Sequence, residues 1–185
     1  LSIAAMEAAA QVPERAHVQA LALFARHIAV GGTPGLDERL SLLAPLRSAA
    51  RGWSELEVLA RALAVIDLLE ADRIPEAEAA QLELRAFVEP FHRPALDTFV
   101  SFFDAMWALL RGDLAEAEAL SNHGLVIGTD AHGDNAATAW AGQQFLIAIE
   151  RGTLGGLIEE LTAMVESQPL VPVWGIGLAR ALVAA

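Results

Sequence analysis

Three sets of residues in this 185-residue chain could do chemistry. His123, Asp130, His132 and Asp134 place four potential ligands in one short stretch, and imidazole with carboxylate is a donor set that zinc and other borderline cations accept. Their spacing matches no ligand motif, and a polar connection over 128–135 accounts for every member, with Asp134 or Asn135 capping the helix that follows. No metal is therefore expected. The second set consists of acids inside apolar helical runs, Asp67 in Val-Ile-Asp-Leu-Leu and Asp104 in Phe-Phe-Asp-Ala-Met-Trp. Gln144 stands 40 residues after Asp104, with Trp107 and Trp140 nearby. If the helices that bear them line one concave surface, Asp67, Asp104, Trp107, Trp140 and Gln144 form a groove suited to a cationic or amide-bearing ligand or to a protein partner. A solvated stripe beside core tryptophans is the plainer reading of the same residues.

The third set is catalytic in type only. Glu116/Glu118 and Glu159/Glu160 are paired carboxylates, but they fall where solvated outer-face acids are expected. The chain has no nucleophile elbow, His-Glu-x-x-His run or phosphate loop. Gly175-Ile-Gly-Leu-Ala-Arg180 is half of a dinucleotide fingerprint without the strand that must precede it. No catalytic residue and no cofactor is expected, and the chain is read as a non-enzyme.

The elements that position these residues follow from an internal repeat. Arg111-Gly-Asp-Leu-Ala-Glu-Ala-Glu-Ala-Leu120 has imperfect copies 40 residues before it, from Ala71, and 40 after it, from Arg151. A turn-forming residue recurs at Gly32, Asp72, Gly112 and Gly152, and an apolar anchor two residues later at Ile74, Leu114 and Leu154. The columns Ile28/Leu68/Ala108/Ala148 and Ala25/Val65/Ala105/Phe145 are apolar in every copy. Apolar residues elsewhere recur at three- and four-residue spacing, and no strand-period run is present. A fixed period of this length in a helical chain marks a stacked helix-pair array. The expected fold is all-α, a right-handed superhelix (solenoid) of about four antiparallel helix pairs. It forms a single domain over 1–185, with pairs at 13–51, 54–88, 95–127 and 134–167 and partial helices at 1–11 and 172–185. Pro13 is expected to open the first pair, and Ser54 with Glu57 to form a capping box.

Composition narrows the partners. A net charge of -12, with arginine as the sole basic residue besides histidine, argues against nucleic-acid binding by this segment. Mean hydropathy is high at +0.42, yet no stretch long enough to cross a membrane is free of charge. Absent cysteine excludes disulfides and thiolate chemistry. The first residue, Leu1, and the lack of a targeting pattern read as a piece of a longer chain.

The run Ala108-Leu-Leu-Arg-Gly-Asp-Leu-Ala-Glu-Ala-Glu-Ala-Leu120, with Gly133-Asp-Asn-Ala136 and Gln143-Gln-Phe-Leu146, resembles the tetratricopeptide-like helical repeats of LuxR-type, ATPase-linked, maltose-activator-like bacterial transcriptional regulators. The resemblance is clearest over 54–185. It implies a cytoplasmic binding and regulatory scaffold, a sensor or protein-interaction module within a signalling or transcription regulator. Its implied partners are the parent's other domains, a protein partner or a small-molecule inducer. The alternatives are a pure assembly module, whose apolar faces at 1–10 and 173–185 stack on neighbouring domains or on another copy in a homodimer, or an all-α metal-binding or enzymatic domain using 123–134.

Overall fold

The computed structural model describes residues 2–12, 15–31, 33–167 and 172–185, with nothing of the Thr33 side chain. The expected helix start at Pro13 and the turn at Gly32 lie outside these residues. Among the described residues the chain is all-helical, with no strand. The helices are α1 (Ser2–Ala10), α2 (Ala16–Ala29), α3 (Leu36–Ala49), α4 (Ser54–Glu70), α5 (Ile74–Val88), α6 (Pro94–Leu110), α7 (Leu114–His132), α8 (Asp134–Glu150), α9 (Ile158–Ser167) and α10 (Pro172–Ala184). None is long and apolar enough to cross a membrane. The chain divides into two compact units, Leu1–Leu96 and Asp97–Ala185.

The repeat appears as one turn built three times. Two residues past the ends of α4, α6 and α8 stand Asp72, Gly112 and Gly152, whose φ values of 57°, 79° and 68° lie in the left-handed region. At each site the left-handed residue's N–H donates back three residues, to Leu69, Leu109 and Ile149, at 3.0 Å. The next N–H, from Arg73, Asp113 or Thr153, donates back five residues to Leu68, Ala108 or Ala148 at 2.8–2.9 Å. This double bond set satisfies carbonyls that a helix end otherwise leaves unpaired. Ile74, Leu114 and Leu154 then open the next helical segment. Asp113 caps α7 by accepting from the Glu116 N–H at 3.1 Å.

Two local expectations change. The stretch 128–135 is not a loop: α7 continues to His132, and Gly133 alone (φ 48°, ψ -122°) separates it from α8. A single glycine suffices because it tolerates a backbone region closed to other residues. Neither Asp134 nor Asn135 is the cap, since Gly133 occupies that position. At α4, Ser54 is already helical and Trp53 is the capping residue. Glu57 reaches back instead to the Gly52 N–H at 2.8 Å.

In the first unit each helix from α1 to α5 packs on its chain neighbour, and α2 also touches α4. Ala20, Leu46, Ala50 and Ala60 form a buried cluster with Leu23, Phe24, Leu56 and Leu63 around it. In the second unit Ala108, Ala117 and Ile147 make one cluster, and Ala148, Leu154, Leu161, Trp174 and Ala181 another. The buried stripe of α7, Ala117, Ser121, Gly124 and Gly128, is made of small residues. A Cβ at Gly124 would lie 2.9 Å from Phe102 Cε1, and one at Gly128 only 2.7 Å from Thr98 Cγ2. Glycine in mid-helix costs about 1 kcal/mol relative to alanine. Here it allows α6 to approach α7 closely enough for Ser101 Oγ to donate to the Leu120 carbonyl at 2.8 Å.

Candidate functional site

Asp67 is the sequence-predicted site residue whose surroundings depart most from expectation. It is fully buried, on the side of α4 that faces α2 and α3 rather than on an open groove. Its Oδ2 lies 2.6 Å from His27 Nε2, and its Oδ1 lies 3.2 Å from Arg39 Nη1. The Arg39 contact is ionic and too poorly aligned for a hydrogen bond, which leaves Oδ1 without one. Arg39 also pairs with Glu70. The physical reason for the inward orientation is electrostatic: a buried carboxylate must be matched by opposite charge or hydrogen-bond donors, and α2 and α3 supply both. His27, at 2% exposure, and Asp67 form a hydrogen-bonded imidazole–carboxylate pair of a kind that hydrolases use. Here it is sealed from solvent and lies between helices, so it ties the first two helix pairs together.

The other four predicted residues belong to the second unit. Asp104 is half-buried on α6 and Trp107 is buried there with its indole N–H unpartnered. Trp140 is half-buried on α8 and donates to Asn122 Oδ1 at 2.8 Å, so it joins α8 to α7. Gln144 is half-buried with its amide nitrogen unpartnered. Its neighbour Gln143 donates to the Phe102 carbonyl at 2.7 Å, linking α8 to α6. Of the potential metal ligands, His123, Asp130 and Asp134 are exposed and the His132 ring stands edge-on to Phe99 at 5.3 Å. No group of three or more such ligands comes together among the described residues.

The first unit also carries an open groove of about 650 Å³ between α3 and α5 with α4 as its floor. That volume is within the range of small-ligand and peptide sites. Each helix presents one face at three- and four-residue spacing. Leu40, Leu43, Ala44, Arg47 and Ser48 come from α3 and Arg51 from the turn after it; Glu57, Arg61, Ala64 and Leu68 from α4; Glu76, Ala79, Ala80 and Glu83 from α5. Helices α3 and α5 each pack on α4 and hardly on each other. The gap between them is crossed by the Arg47–Glu83 ion pair at 2.5 Å.

Most of the groove's charges are committed. Arg61 pairs with Glu57 at 3.0 Å and lies 3.9 Å over the Phe87 ring. Glu76 pairs with Arg73 at 3.1 Å. Its carboxyl is held below the usual glutamate value first by its own backbone N–H in the opening turn of α5, then by Arg73. Arg51 is exposed and, among the described residues, has no ion-pair partner.

The groove expected on α4, α6 and α8 and this groove on α3, α4 and α5 have only α4 in common. The sequence displays one wall of this groove, the Leu40–Leu43–Arg47–Arg51 stripe, and shows the buried pair as two polar residues, His27 and Asp67, in one repeat column. Protein-family models, curated proteins and solved structures each give no match to this chain.

Proposed function

We propose that this chain is a non-catalytic binding and regulatory scaffold, built as a tetratricopeptide-like right-handed superhelix of about four helix pairs. The observation that carries the reading is the same left-handed turn, with the same two backward hydrogen bonds, at Asp72, Gly112 and Gly152. A unit repeated at a fixed interval produces a long surface for recognition rather than a single reaction centre. The sealed His27–Asp67 pair supports a structural use of this catalytic-looking constellation. The resemblance to maltose-activator-like regulators adds the context: a cytoplasmic sensor or interaction module whose ligand or partner shifts the equilibrium of attached domains.

The test is a thermal-shift titration of the protein with sugars, nucleotides, amino acids, metal ions and amphipathic peptides. A ligand that binds the native state alone raises the melting temperature in a saturable way. Saturation by one class supports the scaffold reading, and no shift from any of them refutes it. A metal ion as the sole stabilising ligand would instead favour a metal-dependent domain.

A second reading, assembly through the C-terminal helix, is favoured by the apolar residues that α10 leaves exposed. Val173, Ile176, Leu182 and Val183 are 57%, 69%, 58% and 89% accessible. Continuous apolar exposure of this kind marks interaction surfaces. Sedimentation mass rising with concentration, and held at the monomer value by Ile176→Glu, would establish it; a constant monomer mass would exclude it.

A further inference from the structure

The groove on the first unit has a polarity along its length, set by the register of its helices. The Arg47–Glu83 pair and the Gly52–Glu57 hydrogen bond bring the end of α3, the start of α4 and the end of α5 together. The Arg39–Asp67 contact places the start of α3 beside the end of α4. Arg47, Arg51, Glu57, Arg61 and Glu83 therefore gather toward the Arg51 end, while Leu40, Leu43 and Leu68 gather at the other, where Glu76 is the one charged lining residue and is paired with Arg73. Leu40 in α3 and Arg51, two residues past that helix's end, are eleven residues apart, about 17 Å at the helical rise per residue.

An extended peptide is poorly served here. The walls are helices whose backbone groups are already paired, so it would find few partners for its own N–H and C=O groups. A helix brings those bonds with it. The alanines at 44, 64, 79 and 80 leave room for a helix axis to approach to about 8–10 Å. Arg51 sets the sign of the ligand's charge, because the other cations in the groove already have acidic partners.

We propose that the α3–α4–α5 groove seats an amphipathic helix of a partner protein, with a carboxylate at the Arg51 end and aliphatic side chains on the Leu40–Leu43–Leu68 end. This rests on the scaffold reading and specifies its partner's chemistry. The helix spans about three turns, matching the 17 Å between the two poles.

The test uses two fluorescent alanine-based peptides of about four turns, each with leucines along one face. One carries a single glutamate at the end of that face, and its twin carries lysine there. Anisotropy titration of the intact protein should show saturable binding of the glutamate peptide, at least about tenfold tighter than the lysine peptide. Arg51→Glu should reverse that preference. Ala44→Trp, a substitution at an exposed position on the wall, should abolish binding of both peptides while leaving the circular dichroism spectrum unchanged. Equal affinity for the two peptides, no saturable binding, or indifference to Arg51→Glu would each overturn the proposal. If another ligand raises the melting temperature equally in wild type and Arg51→Glu, the scaffold reading survives and this groove is not its site.

Discussion

His27 and Asp67 stand one repeat apart, and their side chains meet in the interior at 2.6 Å. In the second unit the same column is Trp107 and Ile147, both buried. The repeat thus preserves an inward-facing position while its chemistry changes from polar in one unit to apolar in the other.

Removing one member of the polar pair strands a buried charge. Asp67→Ala should destabilise the first unit by about 3–5 kcal/mol in urea unfolding followed by circular dichroism. A double-mutant cycle with His27→Ala should return a coupling of about 1–3 kcal/mol. The combination His27→Leu, Asp67→Leu and Arg39→Met should recover most of the loss, because it removes the group that would otherwise be left unpaired. Additive single mutants would refute the coupling.

The repeated turn predicts opposite effects at equivalent positions. Gly112 has open space around a would-be Cβ, so Gly112→Ala meets only the left-handed backbone cost, about 1–2 kcal/mol. Asp72 occupies the same conformation with a side chain, and Asp72→Gly should stabilise by about 0.5–1 kcal/mol. Chemical denaturation of the two variants checks both signs.

The close seam between α6 and α7 predicts a compensating pair. Gly128→Ala drives a methyl toward Thr98 Cγ2 and should cost about 1–3 kcal/mol despite the gain in helix propensity. Thr98→Ser removes the opposing methyl and keeps the hydroxyl, so the double variant should be more stable than Gly128→Ala alone. Equal stability of the two would place the strain elsewhere.

Glu76 predicts a direction in pH. Its carboxyl is held below the usual 4.5 in the folded protein, so its contribution is complete above that value. As pH falls through the lower folded-state value the proton binds and the contribution is lost. Nuclear magnetic resonance titration should show a Glu76 midpoint below 4.5, and Arg73→Ala should raise it without returning it fully, since the backbone N–H remains.

The helices were legible because alanine content, period and turn residues all agree. Asp72, Gly112 and Gly152 in register with Ile74, Leu114 and Leu154 announce both where helices stop and where they restart. The chain between Gly128 and Asn135 misled because His, Asp, Thr and Asn suit both a polar loop and an exposed helix end. Asp67 misled for a different reason. An acid among apolar neighbours can point outward to water or inward to a cation, and only the placement of His27 and Arg39 on other helices decides which. The groove depends on three faces from three helices, and no single stretch of sequence displays it.

The pairing of each helix in the first unit with its chain neighbour carries a kinetic consequence. Its contacts are mostly between segments close in sequence, and such topologies fold in about microseconds to milliseconds. The His27–Asp67 contact is longer in range than those between neighbouring helices, so it should form late. Its removal should then mainly accelerate unfolding while leaving the refolding rate of this unit nearly unchanged.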